Sequence, residues 1–500
     1  MKEATHQAAR PRVNRLDFSH FFTDHPSSIP VSDQRIPGRG IEKMKILLIS
    51  PKSNSPDPAP AALRIPQLTL PIIAGLTPRE HDVRMVEDEF EHLPLEEAWD
   101  VVGITAMTAT APRAYELATL FRRDGAKVIL GGIHPSILPH EAEQFADAVV
   151  VGEAEGVWQQ IVHDVEQNQL RKLYRNSYPD LSKAPRPVPL RKPSLFGIQS
   201  YVTPILASRG CPYDCEFCCV HSVYGRKQRH VPIEHIVESI TRNRAKRVMF
   251  LDDNLGGVRS YAMSLCSALE PLKIEWYAQV STRFILDDEL FGAALRSGLK
   301  ALFVGVESVE PEARKKMPKS PPSIQLCEKA IKRCRSARVV FHASLIFGRD
   351  EDTPRVFDRT LEFLQYHCVP SISPCILTPY PGTRIFERFS REGRILHTNW
   401  AYYDHNTVCY QPKAMTPEEL AEKYLDFRDR FFSYGSMLRR AYPQFRVSPL
   451  VFLGSNLAHR QTSKKLRERY RTYFKWLNGQ KNVRPLDTAT MSTDQKAYTA

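Results

Sequence analysis

Twice along this chain, short runs of apolar and β-branched residues alternate with longer stretches of helical period, and this alternation limits the fold more than any other feature. The first series reads KILLIS (45–50), DVRMV (82–86), VVGITAM (101–107), KVILGG (127–132) and DAVVVG (147–152). Strands that are apolar on nearly every residue are buried on both faces, as happens when helices cover both sides of a parallel sheet. The expected unit is a doubly wound, Rossmann-like α/β domain over residues 44–165. Gly131, Gly132 and Gly152 close strands of this series. A ligand crevice is therefore expected at the strands' carboxyl ends, where backbone without a Cβ allows close approach.

The second series reads YVTPILAS, RVMFLDD, IEWYAQVS, ALFVGVES, VVFHASLIFG and SISPCILTPY, six strand–helix units within residues 196–400. It predicts a partial (β/α)6 TIM-like barrel whose chemistry gathers at the carboxyl ends of its strands. Between the two series, residues 173–195 carry five prolines and no helical period, and a Pro-rich linker is expected over 166–195. Residues 1–43 are polar and Pro-punctuated, and read as a disordered tail or as the product of an upstream start codon. Residues 401–500 turn helical and aromatic-basic, as in SKKLRERYRTYFKWL. At about 150 residues per domain, 500 residues accommodate this division.

Composition narrows the class. Hydrophobic residues at 42% and charged residues at 25% are ordinary for a globular chain and exclude a fibrous or wholly disordered one. No apolar run approaches the roughly 18 residues of a membrane span, and the N-terminus lacks a secretory signal, so a cytoplasmic address is expected. Four of the ten cysteines fall at 211, 215, 218 and 219, a grouping that suits a metal site rather than a disulfide framework. The net charge of +13 favours anionic partners, but no nucleic-acid-binding pattern accompanies it, so a solvated basic surface and no nucleic-acid partner are expected.

In SRGCPYDCEFCCV, Cys211, Cys215 and Cys218 follow the first barrel strand on a loop short enough to wrap one 4Fe-4S cubane. Electron-transfer centres of this kind use four cysteines; three thiolates leave one iron open to an outside ligand. That iron can chelate the amino and carboxylate groups of S-adenosylmethionine. Zinc is the competing reading. It would want a fourth ligand, for which His221 is at hand, and structural zinc sites usually draw ligands from two separated pairs. Cys219 reads as a bystander, because adjacent side chains point apart.

The CxxxCxxC loop resembles that of the radical S-adenosylmethionine superfamily, and the similarity extends over the barrel region. The resemblance implies reductive cleavage of S-adenosylmethionine to methionine and a 5'-deoxyadenosyl radical. It places Phe217 beside the adenine, and Asp252 and Asp253 of FLDDN at the methionine amine. It also places Glu307 of VGVES at the ribose, with Ile346 and Gly348 of SLIFGRDED packed along the adenine. A helix cap explains either aspartate equally well, and a plain Pro-Gly turn explains TPYPGT at 378–383.

A doubly wound domain ahead of such a barrel, with TLPIIAGL, GITAMT, GGIHP and GEAE in order, resembles the cobalamin-dependent branch of that superfamily (class B methylase-like). Thr105, Gly131 and Gly132 then line the channel for the nucleotide tail of cobalamin. The Asp-x-His-x-x-Gly segment that supplies a lower cobalt ligand in many corrinoid proteins is missing after the first strand, where SPKSNSPDP stands. His134 reads as a loop residue near the cofactor rather than as that ligand.

The resemblance implies a C-methyltransferase: cobalamin takes a methyl group from one S-adenosylmethionine, a second is cleaved to the radical, and the substrate radical captures the methyl. Its alternatives are cobalamin-assisted cyclisation or carbon–carbon coupling without methyl transfer, and, in another class, a non-catalytic iron–sulfur or corrinoid sensor. A small-molecule or lipid substrate and an electron donor such as flavodoxin or ferredoxin are the implied partners. Residues 436–477 mix PLVFLG and YFKWL with eight or more basic residues. A packed helical cap is the first reading of that tail, and peripheral contact with an anionic membrane, admitting a hopanoid-like lipid, the second.

Overall fold

The computed structural model describes residues 43–53, 67–176, 178–183, 202–315, 323–444 and 449–480. The expected tail therefore lies outside the described residues, apart from its last position, as do residues 177 and 184–195 of the linker.

Six strands build the first sheet: β1 (Lys45–Ser50), β2 (Asp82–Glu87), β3 (Val101–Thr105), β4 (Lys127–Gly131), β5 (Ala148–Gly152) and β6 (Leu173–Asn176), all parallel in the order 2-1-3-4-5-6. Period-two alternation divides β1 between two cores. Leu47 and Ile49 pack with the helix Ala111–Arg123 on one face, while Ile46 and Leu48 pack with the helices Thr69–Leu76 and Trp158–Glu166 on the other. Each such buried side chain stabilises the fold by roughly 1.5–3 kcal/mol. The strand order reverses between β1 and β3, which puts a crevice at their carboxyl ends.

The linker begins later than its composition suggests. Residues Trp158–Glu166 finish a helix, and Leu173–Asn176 pair in register with Val149–Gly152 as the sixth strand. Prolines counted from residue 179 onward hid a strand of four residues that ends just before them.

The second sheet has six parallel strands in the order 14-13-12-11-10-7: β7 (Thr203–Ile205), β10 (Arg247–Phe250), β11 (Glu275–Val280), β12 (Leu299–Glu307), β13 (Val340–Phe347) and β14 (Ser371–Ile376). Two short strands, β8 (Ser208–Arg209) and β9 (Arg229–His230), pair antiparallel just beyond β7. On β13, Phe341, Ala343, Leu345 and Phe347 join the large core under the surrounding helices. The intervening His342, Ser344 and Ile346 face the other way, into the open barrel. The helices Pro417–Phe431, Tyr434–Gln444 and Pro449–Gln480 complete the helical C-terminal region. Arg440, fully buried, fastens them to the barrel through the carbonyls of Val369 and Pro370, and to one another through that of Phe431.

Candidate cofactor and active site

The cysteine loop is closed at its base like a purse. Ser208 and Arg209 pair with His230 and Arg229, so residues 210–228 form one excursion from a two-residue ladder. Gly210, directly before Cys211, has φ +85°, and a Cβ there would lie 2.7 Å from the Lys227 carbonyl; only glycine fits where the two arms meet. Inside the loop the Cys218 amide donates to the Cys215 carbonyl at 3.1 Å. Cys211 and Cys215 are buried and Cys218 is half-buried. Burial pushes the Cys218 thiol up to about 12, with the nearby thiols of Cys219 and Cys215 and the carboxylate of Asp253 adding to the rise. Such a thiol ionises when a metal takes its sulfur, and metal binding then releases the proton.

Among the described residues no three His, Cys, Asp or Glu side chains converge on one ion position. His221, whose pKa burial lowers, follows on the short helix Val220–Tyr224.

The paired aspartates part company. Asp252 is 2% exposed, accepts the Ala207 amide at 3.1 Å, and accepts the Ser208 hydroxyl through its other oxygen. Gln228 completes the group, donating to Ser208 Oγ at 2.8 Å and to the Asn254 carbonyl at 2.9 Å. Desolvation lifts the Asp252 carboxyl to about 7. This corrects the expectation for Asp252: both of its oxygens brace the strand that enters the cysteine loop. Asp253 is the half-buried member, close enough to Cys218 and Cys219 to raise both thiols.

At the end of β12 the ladder to β13 shifts register between Gly305 and Glu307, and Glu307 takes φ +63°. A left-handed conformation at a residue other than glycine costs about 1–3 kcal/mol, and here it falls at a strand end rather than at a helix terminus. The Glu307 carboxylate folds back over Gly305, where a Cβ would stand 2.3 Å from Glu307 Oε1. Arg314, 1% exposed, holds the bulge by donating to the carbonyls on either side, Val306 at 3.1 Å and Ser308 at 2.8 Å.

Phe217 and Ile346 are both half-buried against the barrel core. Gly348, by contrast, serves the fold. Its φ is +91°, and a Cβ there would meet the Tyr410 hydroxyl at 2.3 Å and Leu420 at 2.7 Å, so a side chain at this position would collide with the C-terminal region. The next residue, Arg349, escaped the sequence reading. It is 3% exposed, its guanidinium lies 5.9 Å from the Phe217 ring centre, and its Nε and Nη1 have no hydrogen-bond partner among the described residues. Glu216 and Glu351 stand 3.8 and 3.7 Å away. A basic residue directly after the fifth-strand glycine was the available signal.

In the first sheet, Thr105 and Gly132 touch. Gly132 has φ +101°, and a Cβ there would lie 2.8 Å from Thr105 Oγ1 and 2.8 Å from the Ala106 carbonyl. A Cβ on Gly131 would meet nothing closer than Val150 at 3.6 Å. Beside them Met107 leaves 57% of its surface exposed, an apolar platform at the rim of the crevice. This small, apolar, strand-end ledge fits a large flat ligand. His134 is not a loop residue at its edge. It opens the helix Ile133–Ile137, is fully buried, and spends Nδ1 on Thr108 at 3.3 Å and Nε2 on Glu141 at 3.2 Å.

The two sheets are fastened together at their carboxyl ends. Arg209, next to the cysteine loop, pairs with Glu153 and, at 2.6 Å, with Glu155 after β5; Arg229 pairs with Glu153 as well. Trp400 donates to Glu141 at 3.1 Å across the same junction. The ledge at Thr105 and the loop at Cys211–Cys218 therefore belong to one assembly.

Comparison with known proteins agrees with this architecture. A B12 binding domain family matches residues 61–162 and the radical SAM superfamily matches residues 205–364. Bacteriochlorophyllide d C-12(1)-methyltransferase of Chlorobaculum tepidum is 28% identical over 415 residues, 80% of this chain and 89% of the relative. Hopanoid C-2 methylase of Rhodopseudomonas palustris is 26% identical over 401 residues, 76% of this chain and 73% of the relative. The radical S-adenosylmethionine methyltransferase TsrM of Kitasatospora setae, with cobalamin and a [4Fe-4S] cluster bound, superposes with a TM-score of 0.62 at 14% identity, over 86% of this chain and all of TsrM, and so shares the fold.

Proposed function

From the premise that this chain belongs to the radical S-adenosylmethionine enzymes that carry a B12-binding domain, we propose that it transfers a methyl group to an unactivated carbon of a hydrophobic small molecule. The observation that carries this reading is the Arg209–Glu153–Glu155–Arg229 junction, which ties the corrinoid ledge to the cysteine loop so that both cofactors serve one cavity. When bound, the cluster and corrinoid supply the electron that cleaves S-adenosylmethionine to the 5'-deoxyadenosyl radical and the carrier for the methyl group.

The chain's own residues hold and orient. In this reading Cys211, Cys215 and Cys218 hold the cluster, and Phe217 and Ile346 flank the adenine. Asp253 accepts from the methionine amine, the Arg349 guanidinium, two of whose nitrogens lack a hydrogen-bond partner among the described residues, meets the methionine carboxylate, and Glu307 bridges the ribose hydroxyls. Thr105, Gly131 and Gly132 admit the nucleotide tail of cobalamin. Positioning in a dry cavity, rather than acid–base chemistry, is the protein's contribution.

The bacteriochlorophyllide relative is matched over 89% of its length, the hopanoid relative over 73%, so a tetrapyrrole of the bacteriochlorophyllide type is the first acceptor to assay and a hopanoid the second. Anaerobic reconstitution with iron, sulfide and cobalamin, followed by mass spectrometry, is expected to yield 5'-deoxyadenosine and S-adenosylhomocysteine. The first product alone would mean radical chemistry without methyl transfer, and retained cleavage in Cys215→Ala would remove the cluster assignment.

A flavodoxin or ferredoxin is the electron donor this chemistry asks for. No described helix is long and apolar enough to cross a membrane. Leu438, Leu453 and Leu457 are exposed on the last two helices beside the exposed Arg439 and Lys464. Leu453, Leu457 and Lys464 share one helical face, a surface suited to resting on an anionic bilayer.

A further inference from the structure

The segment 403–409, YDHNTVC, is strapped across the carboxyl end of β14. Its anchors come from three directions: Asp404 to Arg469 at 3.0 Å, Asn406 Oδ1 from the Tyr424 hydroxyl at 3.0 Å, and the Val408 carbonyl from the Tyr473 hydroxyl at 2.6 Å. The Ile376 amide, last in β14, donates to the His405 carbonyl at 2.6 Å. Thus fixed on both sides, His405 adopts φ +65°, and it is exposed between buried Asp404 and buried Asn406. Desolvation nevertheless lowers its pKa, against the opposing pull of Asp404. Exposed at the carboxyl end of β14, the imidazole stands at the barrel mouth, where the chemistry of such barrels gathers.

Tyr380 completes the arrangement. Its hydroxyl lies 3.0 Å from His405 Nε2 and 3.1 Å from the Tyr403 carbonyl. It packs against the same apolar cluster as Cys219 and Tyr224 of the cysteine loop. With His405 held at the end of β14, the pair therefore stands at the barrel mouth on the side of the cysteine loop.

One proton decides the polarity. The Tyr403 carbonyl can only accept, so the single Tyr380 proton goes to it; His405 Nε2 must then carry a hydrogen and donate to the Tyr380 oxygen. Nδ1 is left as a bare acceptor, and no partner for it occurs among the described residues. We propose that His405 Nδ1 is the specificity-determining acceptor at the barrel mouth, taking a hydroxyl or N–H donor of an otherwise apolar methyl acceptor, with Tyr380 as the positioning residue that fixes its tautomer. This rests on the reading that the barrel mouth receives the methyl acceptor.

Two measurements test it. In histidine-selective 15N spectra of the holoenzyme without substrate, assigned by the signal missing from His405→Asn, His405 is expected as the Nε2-protonated tautomer, and Tyr380→Phe is expected to shift it toward the other tautomer. Protonation at Nδ1 in the wild type overturns the proposal whatever the substrate is. In the second, wild type and His405→Asn, a replacement that tolerates the left-handed backbone, each receive a mixture of a chlorin bearing a peripheral hydroxyl group and the same chlorin lacking it. The wild type is expected to prefer the hydroxylated acceptor by roughly tenfold in kcat/KM, and the variant to prefer neither. Because the ratio is taken within one enzyme, losses of cluster or cofactor cancel. A preference that survives in His405→Asn overturns the inference, whereas turnover of neither chlorin by the wild type counts against the tetrapyrrole reading and leaves the tautomer to decide.

Discussion

Replacing Arg209 by Ala tests the junction between the two sheets at its most buried point. The side chains of Glu153 and Glu155 are 2% and 7% exposed, and those of Arg209 and Arg229 13% each. Without Arg209, Glu153 keeps Arg229, but Glu155 has no cation left among the described residues. One stranded buried carboxylate should cost about 3–5 kcal/mol, a fall of about 1–2 M in urea midpoint at a slope of about 3 kcal/mol/M. Glu155→Gln alone should cost about 1 kcal/mol, because Arg209 still has Glu153. Added to Arg209→Ala, it removes the stranded charge and should restore about 2 kcal/mol, a coupling that additive sites lack. Urea unfolding followed by circular dichroism, at matched iron and cobalamin content, measures all three. The reasoning is refuted if Arg209→Ala costs less than about 1 kcal/mol or if the double variant is simply additive. Where the junction is weakened, methylated product per 5'-deoxyadenosine should fall as well, since the ledge and the cysteine loop lose their fixed relation.

Asp252 gives a pH signature. Its folded-state carboxyl, near 7 against an ordinary 3.8, binds its proton more tightly than the unfolded chain does. The stability it contributes is therefore fully present below about 4 and is lost as pH rises to about 7, by up to about 4 kcal/mol. Thermal unfolding of Asp252→Asn should lack this component, and a wild-type-minus-variant difference that stays flat from pH 5 to 7 would refute it. For the C-terminal helices, cosedimentation with anionic vesicles at low salt is expected to fall in Leu453→Ser/Leu457→Ser, while a chain that never pellets removes the membrane contact.

The two α/β units and the cysteine loop were legible in the chain because their signals are local. Fully apolar strands announce a parallel sheet whatever lies elsewhere, and three thiols within eight residues can wrap a cubane without help from distant segments. The glycine pair after β4 was equally plain, and the structure adds that Gly132 is demanded by contact with Thr105. What the chain could not state is which of several chemically equivalent residues would meet which partner. Asp252 and Asp253 are the same side chain in adjacent positions; only the approach of Ser208 makes one a brace and leaves the other beside Cys218. The freedom of Gly348 was visible, but its occupant is Tyr410, 62 residues onward. Glu153 and Arg209, 56 residues apart, and Tyr380 and His405, 25 apart, carry no motif. Periodicity and spacing are encoded along the chain, so sequence alone determined the two alternating series of strands and helices and the three-cysteine loop. Pairing of buried polar groups depends on which surfaces close upon one another, and only the tertiary structure decided that.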